Sequence, residues 1–320
     1  MSRTASKSRC ALSVIIVSYN TRQMTLDCLR ALHLDLQCAK LQDSEIWLVD
    51  NASRDGSVQA IRDEFPDVKI IANRENTGFG AANNQAMKEA RGDFFLLLNS
   101  DAFPVAGAIG ALHEYSCAHP DVAVVGPRLL NRDGTLQRSC FRFPTPARAW
   151  LENLWISSLL SRFSLFDDYR HWEHDSEREV DFIVGACMLV RREAYEKAGG
   201  FDEDFFMYSE ETDWQRRLQS AGWKIVFLPQ ARVTHLGGAS GADEKARINN
   251  HFFESLDRYE RKHHGLPGLV SLRLAMIVGG LLRLGLWSAA MALPKRRAVA
   301  RSKTQLHCWL LLRQISKWRL

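Results

Sequence analysis

Several common signatures are missing from this 320-residue chain, and each absence closes off a class of function. The seven cysteines, Cys10, Cys28, Cys38, Cys117, Cys140, Cys187 and Cys308, form no CxxC pair, so zinc ribbons and thioredoxin-like redox motifs are out. There is no GxGxxG and no GxxxxGK[ST], which disfavours a nicotinamide dehydrogenase and a P-loop nucleoside triphosphatase. The opening segment MSRTASKSRC is polar and basic. The apolar run behind it, Ala11–Val17, is cut off by Ser18-Tyr19-Asn20 too soon to make a signal peptide. The chain also lacks acidic residues over one long stretch: from Arg261 to the end there are 12 Lys and Arg and no Asp or Glu.

What is present supports an ordered protein with a sizeable core. The chain is 46% hydrophobic and 25% charged. An odd cysteine count in a chain of this size reads as reduced thiols on a cytosolic face. The net charge of +5 hides an acidic body and a basic tail. Such a tail seeks anions, either phospholipid headgroups or nucleic acid. No RRM, zinc or helix-turn-helix pattern accompanies it, and its apolar stretch has no use on DNA.

Strand and helix patterns alternate at the spacing of βαβ units, so the fold class is α/β with a mostly parallel central sheet. Strands are expected at Leu12–Val17, Glu45–Val49, Val68–Ala72, Asp93–Leu98, Val122–Val125, Phe182–Val190 and Lys224–Leu228. Helices are expected at Met24–Leu36, up to about Phe65, and at Gly80–Ala90, Arg192–Ala198 and Glu210–Ser220. Leu130–Asp181 is irregular and aromatic, and reads as an insertion over an active site, helical around Trp150–Phe163. The tail window Leu274–Leu293 is long enough to span a bilayer. Arg283 near its middle would cost about 2.5–3.5 kcal/mol there, so a helix lying on the membrane surface is favoured.

Five segments carry candidate chemistry, each at a strand's carboxyl end or a neighbouring turn, where α/β sheets bind ligands. Asp50, at the end of the second strand beside Asn51, could accept from a ribose or base N–H, or could cap the next helix. Gly78 and Gly80 allow close backbone approach before a helix that carries Asn83. Asn99-Ser100-Asp101 emerges from a buried strand; Asp101 could hold Mg²⁺ or Mn²⁺, or cap a helix. Glu210, Glu211 and Asp213 fall in one helical first turn, either as a general base or as charges placed to suit the helix dipole. His235 precedes a glycine pair and could ligate a metal, although a lone histidine is more often structural.

The ordered set VIIVSYN (Val14–Asn20), VDNASRDGS (Val49–Ser57), NTGFGAANN (Asn76–Asn84), LLLNSDA (Leu96–Ala102), VGPRL (Val125–Leu129), GACMLVRR (Gly185–Arg192), GGFDEDFFMYSEETDW (Gly199–Trp214) and VTHLGGAS (Val233–Ser240) resembles family 2 glycosyltransferases, in the branch containing bacterial rhamnosyltransferases. The resemblance implies a GT-A fold over 11–260, with a nucleotide-sugar half at 11–127 and an acceptor half at 128–260. It leaves 1–10 as a polar lead and 261–320 as a helical tail attached to a membrane surface.

The resemblance also implies site roles. Ser18, Tyr19, Asn20 and Asp50 lie at the nucleoside, with Asn51, Gly78, Asn83 and Ser100 around the donor. Asp101, in the position of a DxD-type motif whose first member is here Asn99, and His235 serve the divalent metal. Glu211 is the base, where Asp is commoner, which leaves Glu210 and Asp213 in competition. Arg128, Arg191 and Arg192 are candidates for diphosphate or acceptor contact. The implied reaction is inverting transfer of a sugar from a nucleotide-sugar, dTDP-L-rhamnose being favoured, to a lipid-diphosphate-linked saccharide of a surface glycan such as O-antigen. A UDP-hexose or UDP-N-acetylhexosamine donor and a non-catalytic glycan-binding subunit are the alternatives. The expected place of work is the cytoplasmic face of the membrane, with a homo-oligomer among the options.

Overall fold

The computed structural model describes residues 11–157, 169, 171–237, 245–293 and 296–316. The polar lead, the 158–163 part of the expected insertion helix and Gly238–Ser240 therefore lie outside the described residues. Residues up to Phe143, together with Trp172–Ser255, form one compact unit; Pro144–His171 and Leu256 onward form a second.

The first unit is an α/β layer structure. Its strands are β1 (Leu12–Ser18), β2 (Glu45–Asp50), β3 (Lys69–Ala72), β4 (Phe94–Asn99), β5 (Ala102–Pro104), β6 (Val122–Leu130), β7 (Leu136–Gln137), β8 (Cys140–Phe141), β9 (Arg178–Glu179), β10 (Phe182–Ile183), β11 (Cys187–Arg191) and β12 (Lys224–His235). Its helices are α1 (Arg22–Cys38), α2 (Ser57–Glu64), α3 (Phe79–Glu89), α4 (Ala108–Ala118), and then, beyond the second unit's α5 (Pro146–Asn153), α6 (Arg192–Ala198) and α7 (Glu210–Ser220). The main sheet runs β3-β2-β1-β4-β11-β6-β12-β5, with β7 on β6 and β9 on β12. β3, β2, β1 and β4 are parallel to one another, as are β6 and β12. β11 enters between β4 and β6 antiparallel to both. The sheet is thus mixed, with its longest parallel stretch formed by β3, β2, β1 and β4 from the first hundred residues.

The buried strands are continuous apolar runs because both faces are covered. Val14, Ile15 and Ile16 of β1 and Phe95, Leu96 and Leu97 of β4 are fully buried. α1 lays Leu26, Leu29, Leu32 and Leu36 on this core at helical spacing, each contributing about 1.5–3 kcal/mol by burial. Its buried Asp35 caps α4, accepting from the backbone N–H groups of Gly107 and of Ile109 (2.8 Å). α4 has no clear amphipathic stripe, so periodicity does not reveal it.

Two expected strands need correction. Phe182–Val190 is two strands: β10 pairs with β8 in a separate ribbon, and β11 joins the main sheet. The strand expected to stop before Pro229 runs on to His235, and Pro229 sits in a register irregularity between Leu228 and Arg232, where its missing N–H costs no ladder bond.

The last two helices are α8 (Lys245–Ala290) and α9 (Arg297–Ser316). Helicity therefore starts well before the apolar window. α8 belongs to the first unit as far as Ser255, and breaks at Gly265 (φ 68°) beside Pro267. In the second unit Ala149 of α5 packs with Leu272 and Ala275, and Trp150 Nε1 donates to Ser271 Oγ at 3.0 Å. Arg273 pairs with Asp257 (3.1 Å), and Arg283 lies over the Trp155 ring.

Candidate active site

β1 and β2 end side by side, with Ser18 opposite Asp50. The loops beyond them are latched together. Asn20 N donates to Ser53 Oγ (2.9 Å), Arg54 N to Asn20 Oδ1 (2.8 Å) and Arg22 N to Asp55 Oδ2 (2.8 Å). Tyr19 is left half-buried and Asn20 exposed. Asp50 combines its two sequence readings. Oδ2 accepts from Ser53 N at 2.9 Å as a local cap, whereas Oδ1 is buried without a partner. An unpaired buried carboxylate oxygen is costly, and a donor from a ligand would relieve it.

Other residues expected at the donor make bonds that brace the loops. Asn51 Nδ2 donates to Gly78 O (3.1 Å), and its Oδ1 accepts from Asn73 Nδ2 (2.9 Å) and Thr77 Oγ1 (3.2 Å). Asn83 Nδ2 returns to Phe79 O (2.9 Å) within α3. Ser18 Oγ lies 2.9 Å from Thr25 Oγ1 and 3.1 Å from Thr21 Oγ1, which lies 3.1 Å from Ser100 Oγ. This buried hydroxyl chain ties β1 to the residue before Asp101.

Gly78 does permit a close approach, but by protein backbone. At φ 88°, a Cβ there would meet Phe206 O at 2.4 Å. Gly80 makes room for the Phe201 side chain, whose Cβ would lie 3.0 Å from a Cβ added at Gly80. Asn84 then clamps the Phe201 loop, donating to Phe201 O (2.9 Å) and accepting from Phe201 N (2.9 Å). α3 is thereby keyed to the loop leading into α7.

At the end of β4, Asn99 Oδ1 is buried without a partner. Asp101 and His235 meet because β12 pairs with β5, placing His235 opposite Ala102. His235 Nε2 is 3.3 Å from Asp101 Oδ1, and both side chains are largely buried. Among the described residues, no group of three or more His, Cys, Asp or Glu could hold a metal. The set is a carboxylate, an imidazole and a nearby amide oxygen, which fits a divalent cation completed by phosphate oxygens and water.

At the head of α7, Tyr208 (φ 70°) and Ser209 (φ 62°) are both left-handed, a strained entry for non-glycine residues. The start of α8 backs this entry: Ser255 Oγ donates to Met207 O (2.7 Å), and His251 stacks on Phe206. Glu210 is buried and Glu211 half-buried, and Oε2 of each lacks a partner. Burial, reinforced by the Glu211 charge, raises the Glu210 carboxyl well above its ordinary value. Burial also raises Glu211, but backbone N–H groups, including that of Gly185, oppose the rise. The rise is therefore the stronger at Glu210.

Asp213, the third candidate base, is held differently. It is fully buried and accepts from Arg217 Nε at 2.9 Å, while Arg217 also donates to Ala198 O (2.6 Å). The arginine expectations change similarly. Arg191 donates to Val122 O and His119 O, and Arg192 to Gly92 O and Ala90 O; both serve backbone carbonyls. Arg128 donates to His174 O (3.1 Å). The clamping role of Asn84 and the backing by the α8 start are not evident from sequence, since each acts through a fold contact that no local pattern encodes.

Models of two groups match this chain: glycosyl transferase family 2 over residues 13–199, and glycosyl transferase family group 2 over residues 145–318. The N-acetylglucosaminyl-diphospho-decaprenol L-rhamnosyltransferase of Mycobacterium tuberculosis is 29% identical, over 78% of this chain and 88% of that protein. The O-antigen biosynthesis protein RfbC of Myxococcus xanthus is 28% identical over 61% of this chain, but only 15% of its own length. The mannosyltransferase PcManGT from Pyrobaculum calidifontis, solved with GDP-Man and Mn²⁺, superimposes with a TM-score of 0.58 at 17% identity, over 94% of this chain and 84% of that one. With the family model covering more than half its length and a GT-A architecture beneath it, the chain belongs to glycosyl transferase family 2 and is a glycosyltransferase of the rhamnosyltransferase-like branch.

Proposed function

We propose that this enzyme transfers L-rhamnose from dTDP-L-rhamnose to a lipid-diphosphate-linked saccharide, with inversion, in the synthesis of a surface glycan. The observation that carries the reading is a row of buried, unpartnered oxygens at Asp50, Asn99, Glu210 and Glu211 in one compact unit. Similarity to the mycobacterial rhamnosyltransferase supports the sugar and the acceptor class.

In this reading the acceptor hydroxyl gives its proton to ionised Glu211 as its oxygen bonds to the anomeric carbon. The bond from that carbon to the donor's phosphate oxygen breaks, and the nucleoside diphosphate leaves with the electron pair. Glu210, kept neutral, adds no second negative charge beside the base. Asp50 Oδ1 accepts from the nucleoside. Asp101 and His235 hold Mg²⁺ or Mn²⁺, which when bound offsets charge on the departing diphosphate.

The second unit suits attachment to the cytoplasmic face of a membrane. Leu274, Leu281 and Leu286 are exposed on α8, and Leu306 and Leu312 on α9, beside exposed Arg297, Arg301 and Lys303. One helical stretch, Asn250–Ala290, is long and apolar enough to span. Its Arg273 and Arg283 are engaged within the unit, with Asp257 and Trp155, which favours lying on the surface. Co-sedimentation with anionic but not zwitterionic vesicles, lost at high salt, is the expected result.

The direct test follows nucleotide release with Mn²⁺ or Mg²⁺ across dTDP-rhamnose, UDP-glucose, UDP-N-acetylglucosamine and GDP-mannose, with and without N-acetylglucosaminyl-diphospho-polyprenol. Turnover of dTDP-rhamnose alone is expected. Preference for a UDP-sugar overturns the donor assignment, and nucleotide binding without turnover of any donor, acceptor included, overturns the catalytic reading.

A further inference from the structure

We infer that Gln137, on the short strand β7, is a positioning residue that fixes the tautomer of His235 and so makes the imidazole a cation ligand facing Asp101. The inference rests on the metal reading above and adds a residue to it.

The hydrogen bonds set the orientation of each group in turn. Asn131 Nδ2 lies 3.3 Å from Leu136 O, a carbonyl that only accepts, so the Asn131 amide is oriented with Oδ1 on its other side. Gln137 Nε2 lies 3.1 Å from that Asn131 Oδ1 and 3.1 Å from His235 O. Both are acceptors, so this end of Gln137 is the NH₂ group and Oε1 is the other. Oε1 is 2.7 Å from His235 Nδ1 and can only accept, so Nδ1 carries the hydrogen. The neutral ring then has its lone pair on Nε2, which points at Asp101 Oδ1 across 3.3 Å. Two lone pairs facing each other at that distance repel unless a positive charge lies with them. A divalent cation supplies one, and a histidine's far-side hydrogen bond is what commonly fixes its ligating nitrogen.

The short strand exists in a form that suits this task. β7 pairs with β6 through Leu129 and Leu130 alone, and the Asn131–Thr135 turn closes it. At Gly237 (φ 67°) the backbone is left-handed, and a Cβ there would come to 3.7 Å from Gln137 Nε2.

The test uses the full-length protein, with two readouts. The first is Mn²⁺ affinity by EPR titration with dTDP present, for wild type, Gln137→Met, His235→Ala and Asp101→Asn. The second is ¹⁵N-histidine NMR of the metal-free protein, well above the ordinary imidazole pKa of about 6.5, with His235→Ala assigning the signal. Wild-type His235 is expected as the Nδ1–H tautomer. Gln137→Met is expected to release that preference and to weaken Mn²⁺ binding about 10–100-fold, while dTDP affinity without metal is unchanged. An Nε2–H tautomer in wild type, or a Gln137→Met protein with unaltered tautomer and Mn²⁺ affinity, overturns the inference. Wild type that shows the Nδ1–H tautomer but binds no Mn²⁺ with dTDP present overturns the metal reading instead, and with it the ligand role assigned to His235.

Discussion

The two stretches of sheet edge that carry the candidate residues are built on opposite plans. Where β1 and β2 end, polar groups satisfy one another: Asn20, Asn51, Ser53, Asp55 and Thr77 all spend their hydrogen bonds on neighbouring loops, and one oxygen, Asp50 Oδ1, is left over. Around β4 and α7 the balance reverses. Asn99, Glu210 and Glu211 each keep a buried oxygen without a partner, and the entry to α7 is strained. A satisfied network is rigid and suits recognition of a fixed shape. Unsatisfied groups store free energy that only a reacting ligand can release. In the proposed function the first edge recognises the donor and the second carries the chemistry.

The largest effect should test the second edge. Glu211→Gln is expected to lower kcat about 10²–10⁴-fold with donor affinity retained, measured by steady-state kinetics and donor titration. A variant within a few-fold of wild type would break the division. Gly78→Ala tests the rigidity of the first edge. A Cβ would strain the left-handed backbone and strike Phe206 O, so unfolding free energy should fall by about 1–3 kcal/mol in a denaturant titration. Asp50→Ala should raise the donor dissociation constant about 10-fold, roughly 1.4 kcal/mol, and leave kcat nearly alone. A kcat effect there would blur the two roles.

The smallest effects concern protons. Glu211 must be ionised to act, and burial raises its pKa, so kcat should fall on acidification through a pKa above the ordinary 4.5. Glu210→Gln mimics the neutral carboxyl and should leave that limb in place, with kcat within a few-fold. A carboxyl whose folded pKa is raised loses stability as pH rises through that value, so Glu210→Gln should match wild type in acid and gain in melting temperature towards alkaline pH.

The sequence makes the parallel half of the fold legible because its strands are unbroken apolar runs and its helices repeat at regular spacing. Asp50 and Asp101 stand out as candidates because they lie just past the ends of those runs, whereas Glu211 and His235 are singled out by the resemblance of their segments. Side-chain duty is not legible. Nothing local distinguishes Asn51, which braces a loop, from Asp50, which keeps an oxygen free, or Asp213, paired to Arg217, from Glu211 two positions away. Those differences arise from contacts across long separations in the chain. The same holds for Phe182–Val190: its apolar pattern is continuous, and only pairing with β8 and β4 divides it.

The antiparallel insertion of β11 also governs when, during synthesis, the enzyme can become active. β1 to β4 can pair as soon as they leave the ribosome, but β4 keeps an open flank until β11 arrives. Asp101 waits longer still, for His235 at the end of β12. The nascent chain must therefore carry an exposed strand edge from the completion of β4 at Asn99 until Cys187 opens β11, a period in which a chaperone has most to protect.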